Sequence, residues 1–177
     1  EFASDLEYQH SVISEGIDLF RELHGYQPTF FVPTNGPFNL ALEATLKSKG
    51  IKYIMLDKLQ KEPLGDGKYK THLRFLGKRN KHGQVYLSRN GGFEPAQFPE
   101  QDNVNACLKG IDMAFRLHKP ATISTHRVNY IGWLHPENRE QTLRQLKVLL
   151  REIIKRWPDV EFMTSDELGD LIISGEK

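Results

Sequence analysis

The 177-residue chain carries a single cysteine, Cys107. One thiol cannot close an internal disulfide, and a zinc site built on cysteines is excluded. That scarcity fits a reducing compartment without excluding export. Long apolar runs are also missing. None approaches the ~18 residues of a transmembrane helix, so no membrane span is expected. Charge of one sign is missing too, with 24 Lys and Arg against 23 Asp and Glu and a formal net charge of +1. Such a balance gives no broad electrostatic case for nucleic acid or a membrane surface as partner. The first residues, Glu1-Phe2-Ala3-Ser4, hold neither an initiator Met nor a signal peptide, which reads as a cut or processed start. His10, His24, His72, His82, His118 and His135 are scattered, with no HxxxH or HExxH spacing for zinc. No Walker loop, no GxGxxG and no GxSxG elbow occurs, so nucleotide binding and a serine hydrolase have no motif behind them.

What the chain does have is alternation. Helical spacing of Val12, Ile13, Ile17, Phe20 and Leu23 predicts a helix from about Tyr8 to His24, stopped by Gly25. Pro28–Val32 and Ile51–Met55 read as buried strands, with a helix through Leu40, Leu42 and Leu46 between them. Leu56–Gln84 reads as a long polar loop with room for a hairpin. Val85–Leu87 is a third strand, and Asp102 or Asn103 caps a helix to about His118. Ala121–Ser124 is a fourth strand. Pro136 opens the longest helix, whose stripe runs Leu143, Leu146, Leu149, Leu150, Ile153, Ile154 and Trp157. Val160–Met163 reads as a last strand, and Thr164 with Glu167 forms a capping box for a short final helix. Strands alternating with helices predict an α/β fold with parallel strands.

The stretch Ala121–Trp133, ATISTHRVNYIGW, concentrates the candidate chemistry. A strand runs directly into Thr125, His126, Arg127 and Asn129, and α/β folds place ligands at the carboxyl ends of their strands. Imidazole titrates near neutrality as a residue type, so His126 is a candidate general acid; a backbone-bonded loop histidine is the alternative. Arg127 is read either as a carboxylate holder or as a structural partner of Glu94 or Glu161. Asn129 and Tyr130 are read as sugar-contacting groups, against a simple turn role for Asn129. Arg89-Asn90-Gly91-Gly92-Phe93-Glu94 is a second candidate: its glycines let backbone approach a ligand, and Glu94 serves as a base or fixes an arginine. Asn35, in the turn after the first strand, is a third. The basic stretch Lys68–Lys81 is read as solvated loop or as a contact for an anionic polymer.

Ile123-Ser124-Thr125-His126-Arg127-Val128-Asn129, the long helix after it and Asp159–Leu168 together resemble the C-terminal part of polysaccharide deacetylase-like proteins, the NodB-homology carbohydrate esterases. Ser14–Leu23, Pro28–Pro33 and Leu40–Ile54 also look like that family's middle section. The resemblance implies a distorted, seven-stranded (β/α) barrel that removes acetyl groups from acetylated oligo- or polysaccharides with a divalent metal, usually zinc. It places His126 as general acid, while Asn35, Arg89, Asn90, Glu94, Arg127 and Asn129 stand as candidate substrate contacts on the reading of the residues given above. Phe30-Phe31-Val32-Pro33 stands where the family carries an Arg-and-Pro motif, with an apolar residue at the Arg position. The family's Asp-Asp pair and His-x-x-x-His metal motif do not occur in these residues, so no metal ligand is assigned. The expectation is a single α/β domain over residues 1–177, the C-terminal portion of a longer barrel whose upstream segment would complete it. Periplasmic or secreted placement agrees with the resemblance. A non-catalytic carbohydrate-binding or scaffold protein on the same fold is the rival reading. An unrelated hydrolase or transferase using His126 and Glu94 is the third.

Overall fold

A computed structural model describes residues 5–34 and 36–175. In chain order these form α1 (Asp5–His24), β1 (Phe30–Phe31), a 3₁₀ turn (Leu40–Leu42), α2 (Glu43–Ser48), β2 (Tyr53–Met55), β3 (Leu59–Gly65), β4 (Lys68–Leu73) and β5 (Val85–Leu87). Next come β6 (Gly91–Gly92), α3 (Asn103–Arg116), β7 (Ile123–Ser124), a 3₁₀ turn (Arg127–Tyr130), α4 (Pro136–Arg156) and α5 (Ser165–Ser174). The chain is α/β, with parallel strands and helices. The described strands form three separate small sheets and no closed barrel. No described helix is long and apolar enough to cross a membrane. Two compact units emerge, one of Glu1–Ser88 with Met163–Lys177, the other of Arg89–Phe162.

The first unit is built on a parallel sheet in the order β1-β2-β5, with Ile54 opposite Tyr86. Every residue of β2 and β5 is buried, which explains why these segments are short continuous apolar runs rather than alternating ones. Ile54 and Tyr86 join Ile17 of α1 and Leu42 and Leu46 of the α2 region in one cluster. Tyr53, Met55, Val85 and Leu87 form another with Phe30, Leu76 and Ile172 of α5. Thr164 and Glu167 cap α5 reciprocally, as the sequence predicts.

The stretch 56–84 is more ordered than a loop. It contains the antiparallel hairpin β3–β4, turned at Gly65-Asp66-Gly67, all three with positive φ. Buried polar groups fasten this hairpin. Gln60 donates to the Phe38 carbonyl at 2.7 Å and accepts from Arg74 at 3.0 Å. The Arg74 guanidinium lies 4.3 Å from the centre of the Tyr86 ring, and the Tyr86 hydroxyl donates to buried Glu43. Burial, reinforced by the Glu43 carboxylate, pushes the Tyr86 hydroxyl well above its ordinary range.

In the second unit α3 and α4 pack over the parallel pair β6–β7, with Phe93, Cys107, Leu108, Ile111, Leu149 and Ile153 as its core. Burial lifts the Cys107 thiol to about 11, which keeps it protonated and inert. The apolar stripe of α4 is narrower than its sequence reads. Leu149 and Ile153 are buried, whereas Leu143, Leu150 and Ile154 face solvent. Val160–Met163 is not a strand. The Val160 N–H closes a turn onto the Trp157 carbonyl at 3.0 Å, and Phe162 and Met163 are exposed with no ladder partner among the described strands. A β-branched run makes a strand only where a neighbour can receive its hydrogen bonds.

Two glycine substitutions separate packing from propensity in the first unit. A Cβ on Gly169 would fall within the ring of Tyr53, which is fully buried and donates its hydroxyl to Asp170. A Cβ on Gly16, inside α1, meets nothing within 4 Å. Gly169→Ala is expected to lower stability in urea unfolding by about 1–3 kcal/mol through overpacking. Gly16→Ala is expected to raise it by about 0.5–1 kcal/mol, the helix-propensity difference.

Candidate acid–base site

The site lies wholly in the second unit and is built from two short strands and the turns that follow them. β6 and β7 pair in parallel with Gly91 opposite Ile123. The Phe93 N–H continues the ladder onto the Ser124 carbonyl at 2.9 Å. Glu94 therefore leaves β6 beside the point where Thr125 and His126 leave β7. Gly110 of α3 helps this pairing, because a Cβ there would sit 3.4 Å from the Asn90 carbonyl oxygen. The glycines at 91 and 92 are thus strand residues, not a turn or a ligand cradle.

Asn90 is a strand clamp. Its amide donates to the Pro120 carbonyl at 2.8 Å and its oxygen accepts from the Thr122 N–H at 2.7 Å. Each bond uses one of the amide's two donors or one of its oxygen's two lone pairs, and the side chain is exposed. Arg89 stays exposed and donates to Ser124 Oγ at 3.3 Å.

Glu94 holds the centre, with its side chain only 12% exposed. One oxygen accepts from His126 Nδ1 at 2.7 Å. The other accepts from Asn129 Nδ2 at 2.7 Å and from the His126 backbone N–H at 3.2 Å. An ionised carboxylate is an acceptor only, so Nδ1 carries the proton and Nε2 is the open nitrogen. The imidazole itself is 58% exposed. The result is a histidine locked by one edge and presented to solvent by the other.

Asn129 is fully buried, which removes it from the list of sugar contacts. Its oxygen accepts from the Ala96 N–H at 2.9 Å, and its amide reaches Glu94, the His126 carbonyl at 2.8 Å and Thr125 Oγ1 at 3.2 Å. It is a positioning residue for Glu94 and for the turn that carries His126. Thr125 Oγ1 also meets the Tyr130 hydroxyl at 2.8 Å. Arg127 is exposed and pairs with neither Glu94 nor Glu161, against the structural partnership read from sequence; the Glu94 oxygens accept from His126 and Asn129 instead. Asn35 lies outside the described residues.

Trp133 is a feature that the sequence reading left without a role. Its side chain is 91% exposed on the loop that follows the 3₁₀ turn. Asn138 fixes the start of that loop by donating to the Val128 and Ile131 carbonyls, both at 2.9 Å. Gly132 is required there, because a Cβ would come within 2.9 Å of Arg139 Cβ. Among the described residues no three His, Cys, Asp or Glu side chains converge to hold a metal ion. The residues described thus do not fit a zinc centre, and no chemical step is assigned to one.

Asn129→Ala would strip one partner from Glu94 and leave the Ala96 N–H unpaired. The expected cost in urea unfolding is about 1–3 kcal/mol. The His126 ring resonances should broaden as the turn loosens. Unchanged stability together with an unchanged His126 spectrum would show that the amide does not position the pair.

Compared with family models, with curated proteins and with solved structures, the chain matches none.

Proposed function

We propose that the Glu94–His126 pair is the proton-transfer element of a carbohydrate-active hydrolase that removes acetyl groups from acetylated oligo- or polysaccharides. In this reading the chain is a polysaccharide deacetylase-like protein, and its parallel strands belong to a distorted (β/α) barrel of that type. One observation carries it: an exposed imidazole is held through Nδ1 by a largely buried carboxylate, with Nε2 free. That arrangement sets the tautomer and aims one nitrogen outward, as general acid–base work requires. The half-exposed Ile131 and exposed Trp133 on the following loop offer an apolar face of the kind that sugar rings meet.

The steps open to these residues are limited and balance. Water adds to the acetyl carbonyl and gives its proton to His126 Nε2. The imidazolium, stabilised by Glu94, then donates that proton to the departing amine or alkoxide as its bond to the acetyl carbon breaks. Acetate leaves and the histidine returns to its neutral form. Glu94 orients and stabilises without being protonated itself.

Acetate release from a panel of acetylated oligosaccharides, with zinc and then with chelator, tests this. His126→Ala is expected to lower kcat by about 10²–10⁴-fold with little change in KM. Glu94→Gln is expected to lower kcat by a smaller factor, because the ring stays in place while its charge partner is lost. Undiminished release by His126→Ala would remove the pair from the reaction. Saccharide binding without release in either condition would favour the rival reading, a carbohydrate-binding scaffold.

A further inference from the structure

The charge balance of the whole chain conceals a local excess. Residues 58–81 hold eight Lys and Arg (Lys58, Lys61, Lys68, Lys70, Arg74, Lys78, Arg79 and Lys81) but only Glu62 and Asp66 as acids, a surplus of six against +1 overall. All but Arg74 are exposed. Among the described residues none of the eight has a carboxylate within ion-pair distance, and Glu62 is committed to His72 at 2.7 Å. Elsewhere Lys49, Lys52, Arg116 and Arg156 have acidic partners, whereas Lys47, Arg127 and Lys147 have no ion pair among the described residues, so it is the local density of cations that sets 58–81 apart. Lys61, Lys68 and Lys70 lie on the hairpin itself and Lys58, Lys78, Arg79 and Lys81 flank it in the chain, and exposed cations without counter-charges are a surface that gains from an anionic ligand.

The hairpin also supplies a shaped contact. Tyr69 stands opposite Pro63 in the β3–β4 register, half-exposed, with the Lys61 ammonium 5.9 Å from its ring centre. Beside it lies a cleft of about 210 Å³ lined by Thr34, Pro37, Pro63, Lys68 and Tyr69. Two prolines and a tyrosine give apolar walls, a hydroxyl and an ammonium give polar ends, and glycines at 65 and 67 open the tip. The volume suits one or two sugar rings and is far short of a groove that tracks a nucleic-acid strand.

We propose that the β3–β4 hairpin is a binding site for an acidic polysaccharide, in which a sugar ring packs on Tyr69 and its carboxylate is met by Lys61 and Lys68. The choice of a polysaccharide rests on the function proposed above, whereas the anionic character rests on the hairpin alone. Lys70, Lys78, Arg79 and Lys81 add long-range attraction, so binding weakens as salt rises.

The test is calorimetric titration of the full chain with oligogalacturonate, with neutral dextran and poly(U) as comparisons. The same titrations are run in His126→Ala, so that binding is read apart from turnover. Oligogalacturonate is expected to bind and dextran not. Tyr69→Ala should weaken binding at least tenfold. Lys61→Gln and Lys68→Gln, both at exposed positions, should each weaken it about threefold. Equal binding by both lysine variants and the parent, or dextran bound as tightly, would overturn the proposal. Tighter binding of poly(U), lost in the same variants, would also overturn it and make the hairpin a nucleic-acid surface. Oligogalacturonate carries no acetyl group, so its binding is independent of turnover: if the acetylated panel above releases no acetate while oligogalacturonate still binds, the hydrolase reading falls and this one stands.

Discussion

Glu94 is a carboxylate with little access to water, and three hydrogen bonds to its two oxygens replace the solvent it has lost. All three donors come from residues 126–129. A poorly solvated carboxylate left unpaired is costly, so the turn after β7 cannot relax away from Glu94 without exposing that cost. The short β6–β7 ladder brings the two chain segments side by side, and the carboxylate then fixes their fine geometry. Asn129 closes the arrangement from beneath by tying Ala96, Glu94 and the His126 carbonyl together. The orientation of the imidazole follows from this satisfaction of a buried acid.

The first unit solves a similar problem with different residues. Glu43 and Arg74 are both buried, yet neither is bridged directly to an opposite charge. Glu43 takes the Tyr86 hydroxyl, and Arg74 spreads its charge over the Tyr86 ring and Gln60. Tyr86 therefore sits between an anion and a cation on the apolar face of the sheet. The exposed cations of the hairpin beyond have no such partners. Burial forces satisfaction, and the surface does not, so unpaired charge survives only where water can hold it.

The sequence shows the long helices and buried strands plainly. The run Val85–Leu87 and the spacing of Ile13, Ile17 and Phe20 each answer to one strong local period. The capping box at Thr164 is equally local. Gly91–Gly92 as a strand was illegible, because nothing in two glycines announces pairing with Ile123 across more than thirty residues; Gly110 on α3 makes the space. Val160–Met163 shows the converse, a good strand sequence with no partner. At the site, the strand-end position of His126 was readable, whereas its hydrogen bond to Glu94 was not, because it depends on the β6–β7 pairing. The role of Asn129 was not, because an amide that contacts sugar and an amide that holds a buried carboxylate look the same in sequence. Likewise the charged stretch 58–81 resembles solvated loop until β3 and β4 are seen to pair.

The exposed half of the Glu94–His126 pair is what separates a chemical reading from a structural one. A histidine–carboxylate contact with one partner this open contributes about 0–1 kcal/mol to stability even when the ring is charged. Desolvating the carboxylate costs at least as much. A neutral glutamine at position 94 could still join β6 to the turn by accepting from the backbone N–H of His126, with less desolvation to offset. A carboxylate beneath the imidazole adds something that glutamine cannot: both of its oxygens accept at once, so Nδ1 keeps its proton and Nε2 stays an open acceptor. That benefit has no value to a folded protein at rest. It has value when Nε2 faces a reacting group, and Nε2 is the part of this assembly that the fold leaves uncovered.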